Sequence, residues 1–416
     1  MKIAIISSGF LPVVDGVTIA LYHRLRILSK QGYQVLVLCP DYQPLASVYP
    51  HWGQQVGQIL PGVTVIGLPS EPFMGVEFER NISRRGNQRL QQELHAFQPD
   101  VIHVDEPDRL FLGVLNAPGV AYAKAHTIPC IGFYHTNFVD YIEDFFPLPG
   151  PIVAVLQWIS TQIIRRVFES YDVTLVASPI TQARVQRLGI RNTRCDRFLG
   201  VDLAAFHDAL KQPQFFKTQY GIEGIDDKIT LIFLGRLTPD KGWGFTLKAL
   251  ADWAKHPDYA PWVEKLAVVI AGDGELRYDI HHTLRELGFA VHLLGRISPD
   301  VVPEVLVNSD IHVTASEKET LGLTVLEAFA ACIPVMAPRA GGVVTHLRDG
   351  ENGLLFEPRD SDAFGRSLYR LISDAELRQR LGQQGRADVE AYHWDAAVNR
   401  LVKAWIDQRD NGRSPS

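Results

Sequence analysis

Residues 311–338 read "IHVTASEKETLGLTVLEAFAACIPVMAP". A β-branched apolar run ends at Ser316, a charged loop follows at Glu317-Lys318-Glu319, and a second apolar run, "IPVMAP", closes the stretch. Between the two runs, Leu321 to Ala331 have the composition of a helix. Strand, loop, helix and strand in so short a span make a parallel crossover unit. Two glutamates mark it: Glu319 stands just before the helix and Glu327 lies inside it, eight positions on.

The same alternation extends in both directions. Toward the amino end come "KIAIIS", "QVLVLCP", "VTVIGLP", "DVIHVDEP", "PCIGFYHT" and "VTLVAS", and from residue 228 the pattern restarts with "KITLIFLG", "LAVVIAGDG", "AVHLLG", "IHVTAS", "IPVMAP" and "GLLFEP". Each run is apolar on both faces and ends in a polar or turn residue, as in a parallel sheet covered by helices on both sides. The fold class expected is therefore α/β, with two doubly wound, Rossmann-like parallel-sheet domains facing a cleft. The polar stretch from residue 200 to 228 separates them, with the join near residues 199 to 205. This gives a domain over residues 1–200, a second over 201–390, and a closing helix and tail over 391–416. The tail helix carries Ala397, Leu401, Ala404 and Trp405 at helical spacing and suits either domain, while "NGRSPS" is expected to be disordered.

Composition narrows the function. The 416 residues carry a formal net charge of −6, which argues against general nucleic-acid binding. The apolar start, "MKIAII", is cut short by Ser7, Ser8 and Gly9 and reads as a first buried strand and not a signal peptide. The longest apolar candidate, "PIVAVLQWISTQII", is broken by Gln157, Ser160, Thr161 and Gln162 and falls short of the roughly 20 residues of a membrane span. Cys39, Cys130, Cys195 and Cys332 form no CxxC pair and are expected as buried free thiols, which fits a cytoplasmic protein.

In open α/β sheets ligands bind beyond the carboxyl ends of the strands, so the loops there carry the chemistry. The loop after the first strand, "SSGFLPVVDG", leads into a helix start at Gly16, which either holds an anion or makes a tight turn. It is no GxGxxG fingerprint, and no P-loop occurs in the chain. "FLGRLTPDKG" brings Arg236 and Lys241 to one turn. Two cations there suit a diphosphate; the plainer reading is a salt bridge from Arg236 to Asp240 or Asp273. Gly272-Asp273-Gly274 either admits a ligand to the backbone or shapes a turn.

The glutamates are about 10 Å apart at helical rise, too far to share one bond. They suit two ends of an elongated ligand with an anionic middle. The free amides of Thr320, Leu321 and Gly322 lie between them and, with the helix dipole, would hold that middle. Glu327 among Leu326, Phe329 and Ala330 needs a partner if buried, and a pair of ribose hydroxyls would serve. The plainer reading makes Glu319 an ordinary first-turn acid and Glu327 an exposed one.

With these residues in place, the chain resembles the family 4 glycosyltransferases, retaining enzymes of the two-Rossmann GT-B fold. The resemblance is carried by "EKETLGLTVLEAFAACIPVMAPRAGGVVTHLRDGENGLLFEPRD", "PVVDGV", "DVIHVDEP", "YHTN", "FLGVDLAAF", "GRLTPDKG", "AGDGEL" and "GRIS", which span nearly the whole chain. "YHT" with "SEKETLGLTVLEA" and "RAGG" is most similar to sulfoquinovosyl-diacylglycerol synthases and to lipid-directed mannosyl- and glucosyltransferases. The resemblance implies that Glu319 contacts the donor sugar and Glu327 the ribose. Arg236 and Lys241 would neutralise the diphosphate, with the amides of Thr320, Leu321 and Gly322 on sugar and phosphate. Gly16 and Gly272 would line the donor, Arg296 and Ile297 would flank the base, and His135 would face the reacting sugar. Two departures stand out: Asp15-Gly16 replaces a frequent pair of glycines, and Cys332 stands where glycine is usual.

The expectation is a retaining transfer of a hexose from a nucleotide-sugar, UDP-hexose first and GDP-hexose second, with no cofactor and no bound metal. The acceptor is a membrane lipid such as diacylglycerol, with a sugar or small polyol as the alternative and a catalytically inactive nucleotide-sugar-binding protein as the rival of another class. The basic stretches with Arg24, Arg26 and Lys30, and with Arg84, Arg85 and Arg89, are candidates for peripheral contact with an anionic membrane at its inner face.

Overall fold

The computed structural model describes residues 1–73, 76–137, 139 and 149–411; of the tail "NGRSPS", expected to be disordered, Asn411 ends a helix and the rest lies outside the described residues. The chain divides into two compact units: Met1–Leu199 with the segment from Trp394 onward, and Gly200–His393.

The first unit contains, in order, β1 (Lys2–Ser7), α1 (Gly16–Lys30), β2 (Gln34–Pro40), β3 (Gly57–Leu60), β4 (Val63–Leu68), β5 (Ser70–Phe73), β6 (Val76–Ile82), α2 (Arg84–Phe97), β7 (Val101–Asp105), α3 (Pro107–Val114), α4 (Val120–His126), β8 (Cys130–Phe133), α5 (Gly150–Phe168), β9 (Val173–Val176), α6 (Pro179–Arg187) and β10 (Thr193–Cys195). Its main sheet runs β10-β9-β8-β7-β1-β2-β4-β3. The pairings are parallel except β3 with β4. The antiparallel edge strand β3 and the β5–β6 hairpin carry no continuous apolar run, which is why the sequence reading passes over them. The six runs read as strands in this half are β1, β2, β4, β7, β8 and β9. Ile3 to Ile6 are fully buried, as two helical layers require.

The second unit contains α7 (Phe215–Tyr220), β11 (Ile229–Leu234), α8 (Trp243–Lys255), β12 (Leu266–Ala271), α9 (Arg277–Glu286), β13 (Ala290–Gly295), α10 (Val302–Val307), β14 (Ile311–Val313), α11 (Leu323–Ala330), β15 (Val335–Pro338), β16 (Gly353–Phe356), α12 (Ser361–Ser373) and α13 (Ala375–Val389). Its parallel sheet runs β13-β12-β11-β14-β15-β16. The strand order reverses between β11 and β14 in this unit, and between β1 and β7 in the first. At such a point the two following loops diverge to opposite faces and leave a crevice between them.

The last helix, α14 (Trp394–Asn411), belongs to the first unit. Trp394 stacks on His23 at 5.3 Å, and buried Trp405 donates its indole N–H to His103 Nδ1 at 3.2 Å.

Three local expectations are corrected. The helix of the opening stretch starts at Leu323, two residues later than expected, because Gly322 at its N-cap has φ 86°. Arg24 is 1% exposed and belongs to no solvated basic face. Of the four cysteines, all free, only Cys39 and Cys130 are buried; Cys195 is half-buried and Cys332 exposed. Cys332 follows the C-cap of α11 at φ 61°, a left-handed conformation that costs a side-chain-bearing residue about 1–2 kcal/mol. Cys332→Gly should therefore raise the unfolding free energy by about 0.5–1 kcal/mol in urea denaturation.

Candidate active site

The second unit gathers most of the predicted residues at the carboxyl ends of β11, β12, β13 and β14. From the turn after β11, Lys241 Nζ donates to Glu319 Oε1 at 2.7 Å. Arg236 reaches Asp240 Oδ2 at 3.3 Å, and Lys241 lies 3.9 Å from the same oxygen. The side chain of Asp240 is fully buried. The result is a chain of alternating charge, Arg236–Asp240–Lys241–Glu319, that crosses from the β11 loop to the β14 loop at the switch point. Arg236 thus makes the structural ion pair foreseen for it, and that pair aims it beside Lys241. Burial pushes the Glu319 carboxyl up, but the Lys241 ammonium, with hydrogen bonds from Lys241 and Ser316, brings it below the usual carboxylate value. Glu319 is therefore an anion at neutral pH.

Backbone packing fixes the loop that carries Glu319. Gly342 donates its N–H to the Glu319 carbonyl at 2.6 Å, and a Cβ on Gly342 would stand 1.9 Å from the Thr320 carbonyl oxygen. Beyond it, the amides of Leu321, Gly322, Leu323 and Thr324 donate no hydrogen bond among the described residues. Of the orphan donors expected over Thr320–Gly322, those of Leu321 and Gly322 are seen, and they extend into the first turn of α11, where the helix dipole adds to them.

Glu327, on the next turn of α11, is half-buried, and no hydrogen bond or ion pair reaches its carboxylate among the described residues. Burial raises its pKa to about 8, so it holds a proton at neutral pH. After β12, Gly272 owes its missing side chain to the backbone, since a Cβ would lie 1.8 Å from the Gly235 carbonyl oxygen. Arg296, after β13, is exposed and lies 3.5 Å from Asp273. Ile297 beside it is half-buried.

Gly16 and His135 lie in the first unit. Gly16 opens α1, whose first amides are taken by the Asp15 carboxylate: Val17 N–H at 3.0 Å and Thr18 N–H at 2.8 Å. Asp15, where the resemblance expects glycine, is thus the helix cap. His135 follows β8, is 9% exposed, and meets Asp105 Oδ1 through Nε2 at 2.7 Å. The same fully buried carboxylate takes Arg24 at 3.0 Å and His103 at 3.1 Å. Burial would raise the Asp105 carboxyl, but the Arg24 charge and the two imidazoles hold it well below the usual range. Burial lowers His103 to about 4, so it stays neutral. Its Nδ1 accepts from Trp405, which places its proton on Nε2, facing Asp105. Next to Asp105, Glu106 has φ 53° and accepts the hydroxyls of Ser8 and Thr136, tying the ends of β1, β7 and β8 together.

Sequence reasoning assigned no role to Asp105 or Glu106, gave Asp240 only the salt bridge to Arg236, and placed Arg24 on a basic membrane-facing stretch instead of against Asp105. Asp105 and Glu106 stand in the quoted "DVIHVDEP", at the end of a strand. Arg24 falls on the buried stripe of Val17, Leu21, Leu25 and Leu28, a periodicity that places it inside.

The two halves match two family descriptions. Residues 14–198 match Glycosyltransferase Family 4, and residues 216–388 match Glycosyl transferases group 1. The chain is a family 4 glycosyltransferase. It is 29% identical to the sulfoquinovosyl transferase SQD2 of Arabidopsis thaliana, over 91% of this chain and 68% of that protein. It is 28% identical to a GDP-mannose-dependent alpha-mannosyltransferase of Mycolicibacterium smegmatis, over 97% and 96%. With the alpha-monoglucosyldiacylglycerol synthase of Streptococcus pneumoniae it shares 24% identity over 96% and 85%. In structure it resembles HepE of Anabaena, solved with UDP and glucose, with TM-score 0.71, 17% identity, and 98% and 99% of the two chains covered. The fold is GT-B, and as a glycosyltransferase the protein transfers a sugar from a nucleotide-sugar.

The glycine packing gives a test of how this glycosyltransferase holds Glu319. Gly342→Ala forces the Thr320 carbonyl away, so stability in urea should fall by about 1–3 kcal/mol. Hydrogen exchange should accelerate at the Gly342 amide bonded to Glu319.

Proposed function

We propose that this enzyme moves a hexose from a UDP-sugar to a lipid hydroxyl, diacylglycerol being the model acceptor, with retention at the anomeric carbon. The observation that carries the donor half is the charge chain Arg236–Asp240–Lys241–Glu319 beside the uncapped start of α11. The anomeric C–O bond breaks and its electrons leave with the diphosphate. The acceptor oxygen bonds to that carbon and its proton is lost to the medium or to the departing phosphate. Negative charge grows on the leaving group, where Arg236, Lys241 and the α11 amides offer fixed positive potential. These cations do what a metal does in other transferases, so we propose transfer without metal or cofactor. Glu319 takes sugar hydroxyls, Glu327 takes the ribose pair, Arg296 and Ile297 flank the base, and His135, held by Asp105, faces the sugar. The lipid acceptor is supported by the named diacylglycerol synthase among the relatives. The GDP-mannose-dependent relative keeps GDP-hexose as the second donor.

The direct experiment measures UDP and GDP release across a donor panel with dispersed diacylglycerol and with small polyols. Sugar transferred only to polyols would replace the lipid reading, and donor binding without transfer to any acceptor would leave an inactive binding protein.

Lys241→Ala removes one charged hydrogen bond from the leaving group and should lower kcat more than about tenfold, with the melting curve little changed. Wild-type transfer should continue at full rate in EDTA.

The two glutamates should fail differently. Glu319→Gln loses charge at the reacting sugar and should depress kcat most. Glu327→Ala loses contacts made equally before and during reaction, so the donor KM should rise more than kcat falls. Glu327 is protonated in the free enzyme and would be an anion when it accepts two hydroxyls. Donor binding near pH 7 should therefore release a proton, and affinity should rise as pH increases from about 6 toward 8. Calorimetry in buffers of different ionisation enthalpy measures the release, and Glu327→Gln should abolish it.

A further inference from the structure

In the first unit, α5 is a helix that the fold leaves unburied along most of its length. Among Gly150–Ile163 no residue is buried, although Ile152, Val153, Val155, Leu156, Trp158, Ile159 and Ile163 are large and apolar. Ile152, Val155, Ile159 and Ile163 form a stripe at helical spacing, 37% to 56% exposed, and Trp158 beside them is 65% exposed. Leu112 on neighbouring α3, which packs against α5, and Leu115 at its C-cap are also exposed. A soluble domain does not leave such a helix in water without a partner for it. Only the carboxyl end, with Ile164, Val167 and Phe168, joins the core.

The chemistry of α5 selects the partner. The helix contains no Asp or Glu, while Arg165 and Arg166 are exposed on its last turn. Arg165 pairs with Glu169 beyond the helix, and Arg166 makes no ion pair among the described residues. In a protein of net charge −6, an acid-free apolar helix ending in two arginines is complementary to an anionic surface. The exposed tryptophan suits the boundary between headgroups and acyl chains. None of the described helices is long and apolar enough to cross a membrane, so α5 would lie in the interface plane. A second copy of the chain is a poorer occupant. The stripe is about 16 Å long and a helix about 10 Å wide, roughly 160 Å², against the ~800 Å² per partner of a stable protein interface.

We propose that the exposed face of α5, from Ile152 to Ile163, is the docking surface of this enzyme on an anionic phospholipid bilayer. This deepens the lipid-acceptor reading and moves the membrane contact away from α1, whose Arg24 is buried.

The test uses the full chain with vesicles of equimolar phosphatidylcholine and phosphatidylglycerol. Wild type should co-sediment with them, and much less with pure phosphatidylcholine. Val155→Glu/Ile159→Glu, both at exposed positions, should lower partitioning at least about tenfold while circular dichroism and the melting curve stay unchanged. Arg84→Glu/Arg85→Glu on α2 should change it far less. Brominated lipids should quench wild-type tryptophan fluorescence, and Trp158→Phe should remove that quenching. Unchanged binding of the α5 variant overturns the proposal. So does absence of wild-type binding, or a wild-type dimer that the α5 variant dissociates while neither form binds vesicles. Transfer to diacylglycerol in detergent micelles separates the two readings. If it fails while α5-dependent vesicle binding persists, the acceptor assignment falls and the docking surface stands; if it succeeds without vesicle binding, the reverse holds.

Discussion

A parallel sheet covered on both faces has one place for polar chemistry, the edge where its strands end. The two sheets here obey that constraint, and the polar cluster of each unit follows from it. At the switch point of the second unit, the loops after β11 and β14 diverge, and Lys241 and Glu319 meet across the gap at 2.7 Å. At that of the first unit, Ser8 after β1 meets Glu106 after β7, while Asp105 at the end of β7 holds His135 after β8. Since each loop is anchored to a buried strand, the polar groups are placed before any ligand arrives, which is the preorganisation that charge development needs.

The charges at the two edges are handled differently. In the second unit, Arg236 and Lys241 are compensated by Asp240 and Glu319 but remain partly open to solvent. The positions of both cations are therefore fixed by their carboxylate partners. In the first unit, Arg24 and Asp105 are both 1% exposed and shielded from solvent. A buried pair of this kind is a weak source of net stability and a strict positional device, since removing one partner strands the other. Its visible effect is to orient two imidazoles, His103 and His135, the first of which also carries the indole N–H of the final helix.

Backbone shape does as much as charge. Gly342 lets the loop carrying Glu319 lie directly on the next turn, and Gly272 lets the turn after β12 lie on the Gly235 carbonyl. Neither glycine needs a ligand to explain it. By contrast, the apolar stretch of α5 from Ile152 to Ile163 is left unburied, and its exposure is not explained by packing among the described residues.

The sequence by itself determined the second sheet and the interior of the first, all but its edge strands β3 and β10. The twelve continuous apolar runs are twelve strands, because a strand buried on both faces must be apolar at every position and so is legible as a run. It also determined which loops matter, since those loops follow the strands. The antiparallel pieces β3, β5 and β6 and the three-residue parallel edge strand β10 were not legible, as their stability comes from hydrogen bonding to neighbours and not from a continuous apolar pattern. Nor were the partners of each charge. Arg24 and Lys30 are alike in composition and share a helix, yet one is buried against a carboxylate 81 residues away and the other is exposed. Glu319 and Glu327 are the same residue eight positions apart, one held ionised by Lys241 and the other protonated by burial. Only the tertiary structure decided these, because charge states depend on which groups from distant strands converge, and local sequence carries no record of that distance.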